Sequence, residues 1–422
     1  MKAYRPHLRL FSNMELGDNR RGHLPEILIV ILVSIILRFV VASIASTYNG
    51  DFPEMYPHLE PYEDYDRLYL PEVKKFLDGE KIYREFFHAY PPLWIYTLSA
   101  FAKFDLPFWG AAIPILIYDV LLAPLVYVIA RKIMKGKIPL LLGVMIAASP
   151  VLLWYDAVFW LNPPPSTFFL LLSLYLVILR KFRFAAIALG IALAYKQTIL
   201  IATPFILFAV YRWSSRRKSA EFLLIILTVV TLASLPYLVW YPDVYLWALG
   251  FPGIPTPSPY APDDLTVWKY DITQPTHLGS VFGDLGFPEI AIKFRQNLLY
   301  VISAVFVGFL FLFSRIKKLN ENDLVKYLAY SLLLFIFLFP RGTYKYFFVT
   351  ALPFFALSCR KKGDIVTFVL LNLGILLVPR SVEPWFAFLM MFFIYMIARE
   401  NTHLIENEEE KKDEVEGMSP EP

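Results

Sequence analysis

Apolar residues fill this chain in long blocks, and the polar positions between them come in short, dense clusters. The blocks at 27–44, 138–154 and 222–240 approach or reach the roughly 20 residues that an α-helix needs to cross a bilayer. Adding the first helix at 26–45, a run at 93–102, one at 109–130, and later runs at 297–313, 324–339, 346–358, 364–378 and 385–398 predicts roughly 10–13 membrane segments. The expected fold is all-α, a polytopic membrane helix bundle with some half-helices. The longest acid-rich interruption is 61–92. Within it Leu68, Leu70, Val73, Phe76 and Leu77 fall near helical spacing, with Lys74, Lys75, Asp78 and Glu80 off that stripe. This pattern predicts a short amphipathic helix along the membrane surface, ended by Asp78-Gly79. Tyr90-Pro91-Pro92 then holds the backbone extended before the next apolar run.

Charge orders these segments. Placing the basic N-terminal tail, 1–25, in the cytoplasm sends 46–92 to the opposite side, where ten acidic residues against five basic ones agree with the positive-inside rule. The basic clusters at 131–137, 180–183, 212–218, 315–318 and 360–362 are then cytoplasmic. The assignment requires 93–102 to be half-inserted and 184–211 to be two half-helices meeting near Lys196. The membrane domain spans 26–398, with a catalytic extracytoplasmic loop at 46–92 and a second long one at 241–293. The acidic stretch 399–422 is expected to be a disordered cytoplasmic tail.

Composition sets limits on function. Of 422 residues, 57% are hydrophobic and 18% charged, which excludes an ordinary soluble fold. The net charge of +4 is spread over loops beside apolar runs, as membrane orientation requires, and gives no case for nucleic acid. The first apolar run is too long for a cleaved signal and is expected to stay as an anchor. The lone cysteine, Cys359, reads as a small buried residue. The 32 prolines gather at segment ends, as in Pro163-Pro164-Pro165, where they mark rigid loops and broken helices.

Four polar constellations fall on the outer side of this topology. Asp64 and Asp66, one residue apart in Glu63-Asp64-Tyr65-Asp66-Arg67, can converge on one substrate hydroxyl or one divalent cation if the chain there is strand-like. Tyr195-Lys196-Gln197-Thr198 places a cation between half-helices, where charge survives if it lines a cavity. Arg341-Gly342-Thr343-Tyr344-Lys345 pairs two cations with a tyrosine that can bind a phosphate, against the plainer reading of snorkelling to headgroups. Asp156, Trp160 and Asn162 can supply hydrogen bonds and an apolar ring to a sugar, against the plainer reading of an interfacial aromatic belt. His88 and His277 lie in outer loops as possible hydrogen-bonding or metal groups, although surface histidines are more often neither. No nucleotide-binding or zincin motif is present, so an activated sugar donor would have to come from the membrane itself.

Taken together, Asp64-Tyr65-Asp66, the turn at 79–83, the Tyr-x-Pro-Leu element at 90–93 and Ala194-Tyr195-Lys196-Gln197 resemble the integral membrane glycosyltransferases of the GT-C class. The local likeness is greatest to the first mannosyltransferase of glycosylphosphatidylinositol anchor assembly. The likeness covers the architecture of the whole chain, but specific motifs occupy only 62–93 and 193–204, with a looser match at 341–353. It implies transfer of a hexose, mannose first, from a polyprenyl or dolichyl phosphate to a lipid-linked glycan or other acceptor on the outer face. It implies Asp64 and Asp66 as catalytic, Lys196, Arg341, Tyr344 and Lys345 at the donor phosphate, and Glu63, Tyr90, Asp156, Trp160, Asn162 and Gln197 at sugar or acceptor. A divalent cation, manganese or magnesium, would find its candidate ligands in Asp64, Asp66 and His88. The chain departs from the class at Trp160-Leu161-Asn162-Pro163, where relatives carry an acid in a W-G-Q-x-D-like element. The rival reading is a transporter or flippase of a lipid-linked sugar, which predicts ionisable residues deep in several helices.

Overall fold

The computed structural model describes residues 20–47, 65–104, 110–249, 286–338, 345–378, 387–388 and 391–392. Among these the chain is helical throughout, with a single isolated bridge between Ile82 and Phe86 in place of any strand. The helices are α1 (Arg20–Thr47), α2 (Leu70–Leu77), α3 (Leu93–Ala102), α4 (Ile113–Ile133), α5 (Ile138–Ala147), α6 (Pro150–Leu152), α7 (Pro163–Ile178), α8 (Phe182–Tyr195), α9 (Thr203–Trp213), α10 (Arg216–Trp240), α11 (Pro242–Ala248), α12 (Pro288–Ser314), α13 (Glu321–Leu338), α14 (Phe348–Ser358) and α15 (Lys362–Leu377). Four stretches, His23–Ile44, Gly110–Ile133, Ile138–Val158 and Arg216–Trp240, are long and apolar enough to cross a membrane. Leu28, Leu32, Ile36 and Phe39 on α1, and Leu224, Leu232 and Val239 on α10, stand exposed. An apolar surface of this kind belongs in lipid.

The bundle packs α7 against α8, α8 against α10, α4 against α5 and α7, and α13 against α14. Small residues set the closest approach. Any Cβ at Gly190 on α8 would lie 2.7 Å from Val229 Cβ on α10. A second core, built almost wholly of aromatics, covers one end of the bundle. Tyr65, Tyr69, Val73, Tyr83 and Trp94 from the first loop bury themselves there against Trp160, Tyr195, Tyr237, Tyr245 and Trp247.

Several expectations change in detail. The amphipathic stretch starts as a π-helical turn at Tyr65–Tyr69 and continues as α2, so Asp66 sits on helical rather than strand-like backbone. Leu68, Leu70, Val73 and Phe76 of its apolar stripe pack on the aromatic core, while Leu77 stays exposed. Gly79 ends the segment with φ +93°, a conformation that glycine alone adopts without strain. The block expected as one helix over 138–154 breaks at Ala148–Ser149, where Ser149 caps the turn opened by Pro150. The loop predicted over 241–293 already carries α11 at its start and the first turns of α12 at its end. The proposed tail, the segment at 385–398 apart from 387–388 and 391–392, and His277 lie outside the described residues.

Candidate functional site at the aromatic end of the bundle

The site is organised by the interruption between α8 and α9. Helix α8 stops at Tyr195, Lys196 takes an extended conformation at φ −153° and ψ 116°, and a 3-10 turn at Gln197–Ile201 leads to α9. Lys196 is thus the C-cap residue of α8, and its side chain reaches across to the residue that precedes α7. It is only 5% exposed and donates to Asn162 Oδ1 at 2.8 Å. The rings of Tyr346 and Phe347 lie 5.3 and 5.5 Å from it, so the turn at Lys345–Phe347 packs against the same ammonium.

Asn162 is free to accept because it precedes α7 without capping it. The three prolines of the first turn lack the N–H groups that an N-cap side chain would bind. Just upstream, Trp160 adopts φ +52°, a costly conformation for a bulky residue, and its ring meets Tyr65 edge-on at 5.0 Å. Asp156 lies in a second π-helical turn, Leu153–Val158, and the Leu161 N–H to Tyr155 carbonyl bond folds it back towards Asn162. π-Helical turns are rare, and they recur at functional sites. Asp156 is fully buried, and neither carboxylate oxygen accepts a hydrogen bond among the described residues.

The first loop and α3 are fastened over this ground at three points. Gln197 Nε2 donates to the Ala89 carbonyl at 3.0 Å, and the Tyr195 and Thr97 hydroxyls share a 2.8 Å bond. The Tyr65 hydroxyl accepts from the N–H groups of Ala111 and Ala112, while burial pushes its pKa up to about 12. Tyr83, at φ +67°, donates to the Tyr90 carbonyl at 2.6 Å and so fixes the turn before the two prolines. The structure thus brings Lys196, Gln197, Asn162, Asp156, Trp160 and Tyr90 to one end of the bundle. Asp66 sits exposed at its edge. Glu63, Asp64, Arg341 and Tyr344 lie outside the described residues.

Two expected roles alter. The Lys345 ammonium is spent on the carbonyls of Leu376 and Val378 at the end of α15, at 3.2 and 2.5 Å, which favours an architectural role. His88 is no surface histidine: it is fully buried, and its Nδ1 meets Glu72 Oε2 at 2.7 Å. Among the described residues no three His, Cys, Asp or Glu side chains gather as a metal cradle. Of the three candidate metal ligands, Asp64 lies outside the described residues, Asp66 is exposed and His88 is buried.

Sequence reasoning passed over Arg38, Asp119 and Glu72. Arg38 Nε and one terminal nitrogen hold Asp119 at 2.6 and 2.7 Å, inside two helices that read as continuous apolar runs. The available signal was a lone arginine within 27–44 and a lone aspartate within 109–130, since a charge inside a span is an expensive exception that calls for a partner. Glu72 gave no such signal. Compared with protein-family models and with curated proteins, the chain matches none.

Proposed function

We propose that the protein is an integral membrane glycosyltransferase that moves a hexose, mannose first, from a polyprenyl or dolichyl phosphate to a lipid-linked glycan or other acceptor at its extracytoplasmic face. The observation that carries this reading is the junction of Lys196 with Asn162 beneath a loop whose carbonyl at Ala89 is tied to Gln197. That junction ties the chain beside a buried cation to the far end of the loop that carries Asp66. A cation held in a dry, preorganised site is what a departing phosphate needs. Asp64 or Asp66 would take the proton of the acceptor hydroxyl as its oxygen attacks the anomeric carbon. The sugar–phosphate bond breaks on the side opposite the attack, with inversion, and the electron pair leaves on a phosphate oxygen whose growing charge Lys196 would stabilise, with Arg341 as the second candidate. The GT-C resemblance supports the same assignment.

A second reading draws on one observation. Arg38, Asp119 and Asp156 are fully or almost fully buried within stretches long enough to span a membrane, as coupled transport of a lipid-linked sugar would require. The two readings separate when purified protein in nanodiscs receives a panel of radiolabelled polyprenyl-phosphate sugars with lipid extract. The enzyme reading expects labelled product with one donor. A panel without product, alongside movement of labelled lipid-linked sugar across proteoliposome membranes, would replace it with transport.

A further inference from the structure

The contacts that fasten the end of the bundle opposite the aromatic core leave most of its charge unmatched. Three loops meet there, at 180–183, 212–218 and 315–318, and together they carry ten Lys and Arg residues. Arg212 joins the second loop to the third through the carbonyls of Ile316 and Lys317, at 3.0 and 2.6 Å. Arg180 lies 3.7 Å from the Trp213 ring and Lys218 lies 5.9 Å from the Phe182 ring, which joins the first loop to the second. Among the described residues, two of the ten meet a carboxylate: Arg180 pairs with Glu321 and Arg183 with Glu221. Arg216, Arg217, Lys317 and Lys318 stand exposed, so the three loops form one basic platform.

The last described residues run back towards this platform. Helix α15 begins beside Arg360, whose guanidinium reaches Asn322 at the start of α13, and it ends at the carbonyls held by Lys345. The Phe388 ring packs onto Gly374, near that end. Further along the chain, the Phe392 ring lies 5.5 Å from Phe355, which stacks at 6.3 Å on Phe368. At 1.5 Å of helix rise per residue, Phe368 is about 9 Å nearer the platform than Gly374. The chain from 388 to 392 therefore heads for the basic end. Beyond the apolar run at 385–398, positions 400–422 hold nine acidic residues and two lysines.

We propose that the basic platform is a docking surface for the chain's own acidic stretch, with the acids between 406 and 416 as its ligands. A single exposed ion pair contributes little. A tethered run of acids meets several cations at once, at the high effective concentration that a short linker gives. Eight to 18 extended residues span roughly 26–59 Å and neighbouring helices pack about 8–10 Å apart, so these acids reach all three loops. Anionic lipid headgroups carry the same charge but lack the tether. Docking of this kind is screened by salt, and it holds whichever ligand the aromatic end takes.

The test is carbodiimide crosslinking of the full-length protein, one copy per nanodisc, with the joined peptides mapped by mass spectrometry. A carbodiimide links a carboxylate to an amine in direct contact with it. The nanodiscs contain phosphatidylglycerol, so that headgroups compete for the platform. Wild type should give crosslinks from acids within 406–416 to Lys181, Lys218, Lys317 or Lys318. Their yield should fall at least about fivefold on raising salt to about 0.5 M, where charges are screened within a few ångströms. It should also fall in Arg216→Gln/Arg217→Gln, which leaves every reacting amine in place. Crosslinks confined to Lys411, Lys412 or lysines outside the three loops would overturn the proposal. So would crosslinks that form in zwitterionic nanodiscs and vanish with phosphatidylglycerol, since the platform would then belong to lipid headgroups.

Discussion

The two ends of the bundle use polar side chains in opposite ways. At the basic end they are spent on one another and on the backbone. Arg180 meets Glu321 at 2.7 Å and stacks 3.7 Å from the Trp213 ring, and Arg212 donates to the carbonyls of Ile316 and Lys317. Trp213 Nε1 reaches the Leu319 carbonyl, Arg360 reaches Asn322, and Arg131 reaches His23. At the aromatic end, Asp156, Asn162 Nδ2, Gln197 Oε1 and His88 Nε2 are buried without a hydrogen-bond partner among the described residues. An unsatisfied buried polar atom costs about 1–3 kcal/mol, so such atoms collected at one end mark a place where stability is traded for binding. The basic end is a clasp, and the aromatic end is the candidate site.

That contrast predicts a ranking of mutational effects. The largest belongs to the acid pair: Asp64→Asn and Asp66→Asn keep shape but remove the base, and sugar transfer should fall roughly a hundred- to ten-thousandfold without loss of thermal stability. Near-normal transfer by both single variants and the double variant would make 61–92 a structural loop. Next, Asp119→Ala leaves the Arg38 guanidinium buried without its carboxylate. It should cost about 3–5 kcal/mol, read as a large drop in melting temperature in detergent, whereas replacing both partners with apolar residues should recover most of the loss. Failure of the double replacement to recover stability would give the pair a role beyond its own charges.

Lys196→Ala comes third. Turnover should fall about a hundredfold, near 3 kcal/mol of transition-state stabilisation, while melting stays near wild type. Unchanged turnover would take Lys196 out of the mechanism. Gln197→Ala loosens the strap between the α8–α9 break and the first loop. A loss of about 1 kcal/mol is expected, seen as faster hydrogen exchange over 82–92 more than as a shift in global melting. The smallest effect is at the basic end, where Arg183→Ala removes an exposed ion pair with Glu221 and should change stability by less than about 1 kcal/mol, with activity intact.

What the sequence disclosed follows the same division. The break at Lys196 was legible because a single crossing over 184–211 would leave one of the two flanking basic loops on the wrong side of the membrane. The first loop's helix and its glycine stop were legible from period and turn chemistry. The partner of that helix was not, since Tyr237 and Tyr245 lie far along the chain and nothing local announces a contact between them and Tyr83. Lys345 read as a phosphate ligand because sequence gives its charge and not the α15 carbonyls that take it up. Arg38 and Asp119 were hidden for the opposite reason: each is one charge in an otherwise apolar run, and their pairing across 81 positions of chain exists only in the fold.

The central claim is that ligand binds at the aromatic end, and photocrosslinking tests it most directly. A short-chain prenyl phosphate carrying a diazirine beside the phosphate would be irradiated with the full-length protein in nanodiscs, and the labelled peptides mapped by mass spectrometry. The account predicts adducts within 153–165 and 193–204, competed away by unlabelled prenyl phosphate and lost in Lys196→Ala. Competable adducts confined to 212–221 and 315–322 would place the ligand at the clasp and contradict the account.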